Sequence, residues 1–341
     1  MKEEIYEASL DPKIQNKMDQ VSAGVKGEDK SKTSYYEPLE RSFKALKSRM
    51  NREVFDNERM WGLLRGSYDI HQHSGPSVHT QRLFDELELS IQGCYMEQAG
   101  IVFKDFDFST ARSVKLVQKM VDKWAEEHKK KKIELFGGVC LNYSVGGLNP
   151  DAVIATHRIG GKYVWLPSQD SNHHRRVVGH GVGEGIDVID EKGKVVPRLR
   201  DILDLMSQTD MVLGIGHQST KERLAVVREA VKLGVKRIEV NHVNFPLTWL
   251  TPEQCKIFTD LGAYIGVYSM HIGRFYVMDD VLAIYDAIGP ERIVFGSDCG
   301  HIATQHPIDS MRMLILNLLQ SGVPDKDVKL MCQSNAHDLL H

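Results

Sequence analysis

Gly66-Ser67-Tyr68-Asp69-Ile70-His71-Gln72-His73 reads as a short buried strand ending in two histidines one residue apart. Successive side chains of a strand alternate between faces, so His71 and His73 point the same way and can offer two imidazoles to one point. Neutral imidazole is the commonest metal ligand among side chains. Such a pair acquires meaning only from its surroundings.

From Trp61 onward, short apolar or β-branched runs alternate with longer amphipathic ones. That rhythm is βα repetition. Eight strands are expected, at 67–71, 100–104, 133–139, 162–166, 211–216, 237–241, 263–267 and 292–297, with helices at 82–98, 110–130, 197–208, 221–233, 252–261, 277–288 and 307–320. Stretches such as Ile293-Val294-Phe295-Gly296 are apolar on both faces, as a parallel sheet covered by helices requires. Eight units predict an α/β fold, a (β/α)8 TIM barrel over 61–341. A doubly wound open sheet is the less suitable alternative, because no GxGxxG follows the first strand. Residues 1–60 are polar and rich in Lys and Glu, and are expected to form an N-terminal arm with a helix at 38–50 that packs on the body or on a neighbouring subunit. One connection is unusually long, 168–197. It holds His173, His174, Arg175, Arg176 and His180, carries an expected hairpin around Glu191-Lys192-Gly193, and suits a lid or substrate loop.

The 341 residues carry 43 basic and 46 acidic side chains, so no global field recruits nucleic acid or an anionic membrane, and a small-molecule substrate is the expected partner. The five cysteines are odd in number and scattered without CxxC spacing, which points to a reducing compartment. No apolar leader follows Met1, and no run of 18 apolar residues occurs. A cytoplasmic protein is expected, and the arm and long loop suit a homo-oligomer.

In such barrels the reactive groups gather where the strands end, because the βα loops converge there. His71 and His73 end the first expected strand, Lys104 the second, His217 the fifth, His242 the sixth and Asp298 the eighth. Each alone could cap a loop or a turn; their common placement at one rim points to a divalent metal. Lys104 needs its own account, since a lysine in a barrel mouth must be paired, deprotonated or modified. A neutral amine there could take up carbon dioxide as a carbamate and bridge two metals. A cationic Lys104 would instead hold a substrate carboxylate or phosphate.

With these residues assembled, the chain resembles the amidohydrolase superfamily of metal-dependent hydrolases, near its phosphotriesterase-like and related uncharacterised branches. The carriers are Asp69-Ile70-His71-Gln72-His73, His217, His242, Gly296-Ser297-Asp298 and the closing Ser334-Asn335-Ala336-His337-Asp338-Leu339-Leu340. The resemblance implies that His71, His73 and Asp298 bind the more buried metal and that His217 and His242 bind the more exposed one. The fourth strand ends Trp165-Leu166-Pro167, without the bridging lysine usual there, so Lys104 is expected in its place or the site holds one metal. Zn²⁺ is the expected ion, with Mn²⁺ second.

The expected reaction is cleavage of an amide, cyclic amide, lactone or ester by metal-activated water, with Asp298 passing the proton to the leaving group. Substrate contacts are expected from Asn142 and Tyr143, Gln169, His173 and His174, Tyr268, His271 and Arg274, and His301, with Arg176 a second candidate for an anionic group. Non-oxidative decarboxylation of an aromatic or unsaturated acid is the alternative. A barrel whose metal is structural is the third reading.

Overall fold

Strands β1 Tyr68–Gln72, β2 Gly100–Phe103, β3 Glu134–Phe136, β4 Gly138–Cys140, β5 Tyr163–Trp165, β6 Val212–Ile215, β7 Arg237–Val240, β8 Tyr264–Tyr268 and β9 Ile293–Gly296 form the frame in a computed structural model that describes residues 57–178, 185–272 and 278–341. The expected helix at 38–50 lies outside the described residues, as do His180 and Arg274. All pairings between neighbouring strands are parallel. β3 and β4 occupy the single strand expected at 133–139, parted by Gly137 alone, so the strands fill the eight positions of a (β/α)8 barrel. A side chain at Gly137 would stand 2.7 Å from the Thr110 carbonyl carbon, at the start of the preceding helix Ala111–Glu127. Glycine permits that approach. Its carbonyl still accepts from Lys162 N at 2.7 Å and carries the ring across the break.

The last strand meets the first without a regular ladder. Asp298 N donates to His71 O at 2.7 Å, His73 N to Cys299 O at 2.9 Å, and Ser297 N to the Asp69 carboxylate at 2.7 Å. Gly296 lets β9 press against His71, for a Cβ there would lie 2.9 Å from the His71 Cβ.

The outer helices follow the expected order. Apolar residues on the outer faces of the strands, such as Leu213, Ile238, Ile265 and Phe295, pack against Leu199, Ile202, Val226, Leu314 and Ile315 of the helices in one buried core. Each such side chain contributes roughly 1.5–3 kcal/mol. The helix Asn57–Leu64 adds Met60 and Leu64 to that core, and Arg59 pairs with Asp325. At the far end, Asn335 Nδ2 donates to the carbonyls of Pro290 and Ile293 at 2.7 Å, which seats the terminal helix Asn335–Leu340 beneath the start of β9.

Three local features differ from expectation. The helix expected at 82–98 is Glu86–Tyr95, because Asp85 caps it and exchanges hydrogen bonds with Glu88, which leaves Arg82 in the preceding loop. Helices Pro150–Arg158 and Asn172–Val178 were not expected; the first starts at a proline with Asn149 accepting from Asp151 N. The hairpin at 185–196 is reduced to a turn, Gly193 N donating to Asp190 O at 2.8 Å, and one antiparallel bridge, Ile189 to Val195. All five cysteines are buried free thiols. Among the described residues no helix is long and apolar enough to cross a membrane.

Candidate metal centre

Asp298 lies just beyond β9, at the C-terminal mouth, and its carboxylate divides the site in two. Oδ1 faces His71 Nε2 at 3.5 Å and His73 Nε2 at 3.2 Å. Oδ2 faces His242 Nδ1 at 3.2 Å and His271 Nε2 at 2.9 Å. Two groups of buried side chains therefore converge, His71, His73 and Asp298, and His242, His271 and Asp298, each with ligand atoms within 4.8 Å of one another. Ligands of a tetrahedral zinc, each about 2.0–2.1 Å from the ion, stand roughly 3.3 Å apart.

Neither ring nitrogen of His71 or of His242 has a hydrogen-bond partner, although all four are buried. Buried polar atoms are nearly always satisfied, so such atoms ask for a ligand. The donor set of imidazoles around one carboxylate fits a divalent cation. His73 is oriented from behind by the Lys104 carbonyl, which accepts from Nδ1 at 2.9 Å and leaves the Nε2 lone pair facing Asp298. His242 and Asp298 are held with φ of +54° and +52°, the left-handed region that non-glycine residues seldom occupy.

The electrostatics keep the cluster ready to coordinate. Burial holds His71 and His217 well below the usual histidine range and lowers His73 and His242 to about 4, so all four are neutral at pH 7. Burial alone would raise Asp298, but the surrounding imidazoles of His242, His271 and His73 outweigh it and hold the carboxyl well below its ordinary value. Burial also lowers Lys104, against the charges of Cys140, Asp298 and Glu239. Its Nζ sits 5.3 Å from the Phe106 ring centroid and 5.7 Å from that of Trp165.

His217 stands at the edge of this cluster. Its ring is 4.9 Å from that of His242, and its Nδ1 is 2.9 Å from Nδ1 of His174 on the helix Asn172–Val178. His271, expected to touch substrate, stands instead inside the cluster against Asp298. Tyr268 lies beneath it: the ring is 4.6 Å from that of His71, and the hydroxyl donates to Glu239 at 2.7 Å and accepts from Asn241 at 2.6 Å. That engagement removes the phenol from the rim. His173 is likewise buried, its Nε2 bonded to Leu247 O at 3.0 Å, and Asn142 ties Phe106 O to Ser168. These three expectations are corrected by hydrogen bonds that a sequence does not display. Tyr143 is exposed under the Arg175 guanidinium, Gln169 is half-buried after β5, and the His301 ring lies 6.2 Å from that of His73.

Two groups were missed. Glu239 is buried beneath the cluster and accepts from both Tyr268 and Tyr163; its place in the alternation Ile238-Glu239-Val240-Asn241 marks it as inward-facing. Arg82 was absorbed into an expected helix, and the capping pair Asp85 and Glu88 would have freed it.

With the geometry in place, comparison with known proteins gives a family and a fold. The model of DUF6282, a family of unknown function, matches residues 66–266, and the chain belongs to that family. No curated protein matches the chain. Among solved structures, the probable dipeptidase PvdM from Pseudomonas aeruginosa aligns over 87% of this chain and 98% of its own, at 10% identity and a TM-score of 0.56. The phosphotriesterase homology protein from Escherichia coli, with phosphate in its active site, aligns over 82% and 99%, at 12% identity and 0.54. An amidohydrolase from Burkholderia multivorans with bound zinc aligns over 80% and 98%, at 11% identity and 0.51. These likenesses show the fold, a (β/α)8 barrel.

Proposed function

We propose that the protein is a metal-dependent hydrolase that cleaves an amide, cyclic amide, lactone or ester of a small molecule at the barrel mouth. The observation that carries this reading is the set of buried, unpartnered nitrogens of His71 and His242 around the Asp298 carboxylate. His71, His73, His242, His271 and Asp298 would hold the ion, with His217 at the open edge. A divalent cation held there supplies Lewis acidity towards the scissile group and acidifies water.

The chain's own groups do the rest. Asp298, ionised at neutral pH, accepts the proton of the attacking water and returns it to the leaving group. The neutral imidazoles leave their lone pairs for coordination, and the main-chain bond at His73 fixes which nitrogen is offered. Lys104, as the neutral amine that burial favours, would add carbon dioxide through Nζ with release of one proton, and the resulting carbamate would serve as a further anionic ligand. The protein is further proposed to act in the cytoplasm as a homo-oligomer.

A second reading, non-oxidative decarboxylation, is favoured by one feature: both ligand groups share Asp298, which also suits a single ion. Elemental analysis of purified protein together with a screen of lactones, cyclic imides, N-acyl amino acids and aromatic acids tests both. About two equivalents of metal and hydrolysed product favour the hydrolase. One equivalent and release of carbon dioxide favour the decarboxylase, and protein that binds no divalent metal overturns both.

A further inference from the structure

Arg82 stands on the loop between β1 and the helix Glu86–Tyr95. Its main chain bridges to His301, and Gln81 O accepts from Ile302 N at 3.2 Å, so this loop is pinned to the segment that follows Asp298. Gly75 lies against the stem of Arg82; a Cβ there would meet the arginine Cβ at 3.2 Å. The side chain is thus placed by backbone on two sides.

Its guanidinium is not satisfied. Nε and Nη1 are closed off from solvent and hydrogen bond to nothing among the described residues. The group lies within electrostatic reach of Asp298 and Asp105, and its charge is also felt at His73 and Lys104. Buried guanidinium N–H groups without acceptors are unfavourable, and the acceptor that suits them best is an oxyanion. The neighbouring rings, His73 with Phe106 at 4.9 Å and with His301 at 6.2 Å, line the same side of the cluster.

We infer that Arg82 binds an anionic oxygen group of the substrate, a carboxylate or a phosphate, on the His73 side of the metal centre. This rests on the reading of the His71 to Asp298 cluster as the reaction centre. The substrate is then an acid whose charged end faces the loops after β1 and β9, with its reactive bond over Asp298.

The test is calorimetric titration of the full-length protein with inorganic phosphate and, separately, with glutarate, in metal-loaded and chelator-treated forms. Wild type, Arg82→Met and Arg82→Lys are compared, with metal content and melting temperature measured alongside. Arg82→Met is expected to weaken at least one anion about tenfold or more in both forms, with Arg82→Lys losing less and metal content unchanged. The anion more affected identifies the class. Equal dissociation constants for wild type and both variants, or no binding of either anion to wild type, overturn the inference. Anion binding that needs the metal and ignores Arg82 overturns it while sparing the metal reading; Arg82-dependent binding to protein that takes up no metal does the reverse.

Discussion

His73 Nδ1 donates to the main-chain carbonyl of Lys104 at 2.9 Å, while the Lys104 amine extends over the rings of Phe106 and Trp165. One residue thus orients a ligand with its backbone and offers a reactive group with its side chain. Lys104→Ala keeps the first and deletes the second. The variant is expected to retain bound metal at one equivalent or more and to lose activity by roughly 10²-fold or more. Recovery with added acetate or propionate marks a carbamate; a variant that short acids do not revive leaves Lys104 as a cationic contact.

Asp298→Asn removes the proton acceptor but keeps the shape. Turnover of the best substrate from the screen is expected to fall roughly 10³-fold or more, with circular dichroism unchanged. Activity within tenfold of wild type would move the general base elsewhere.

His174 and His217 share a hydrogen bond between Nδ1 atoms, so only one of them carries the proton. If His217 offers Nε2 to the ion, it must donate through Nδ1 and His174 must accept. His174→Ala is expected to weaken zinc binding about 10-fold to 100-fold, read by competition with a chromogenic chelator. Unaltered affinity would detach His174 from the centre.

Glu239 has its pKa raised by burial to about 7, against hydrogen bonds from Tyr268 and Tyr163. A raised carboxyl is protonated in the folded state while the unfolded chain is already ionised. Its contribution is therefore neutral below the unfolded value near 4.5 and becomes increasingly unfavourable as pH rises to 7. Glu239→Gln should match wild type in stability near pH 4.5 and exceed it by roughly 3 kcal/mol above pH 7. Denaturant melts at both pH values measure the difference. Comparing the two proteins cancels the opposite trend from His73 and His242, whose lowered pKa values make the shared background less stable as pH falls from 6.5 towards 4.

The barrel was legible because its strands are buried on both faces and stand out as apolar runs. Each ligand candidate was legible because it follows such a run directly: His71 after Ile70, His242 after Asn241, Asp298 after Ser297. What lay beyond a turn was not. His271 reaches Asp298 through the one-turn helix Ser269–His271, whose shape decides whether the ring points inward. Tyr268 looked like a rim residue until its partner Glu239 was visible, a pairing made across two strands. Arg82 escaped because amphipathic periodicity ran past a capping signal.

The seam where Gly296 lies against His71 also orders events in time. His73 and Asp298 are 225 residues apart, and the carboxylate joins the imidazoles only when β9 docks on β1. A nascent chain still missing its final stave already has His71, His73, His217, His242 and His271 but lacks the Asp298 carboxylate that joins them. A cation bound there would find its full ligand set only after assembly, and so would act as a seal on a finished vessel rather than as a seed for building it.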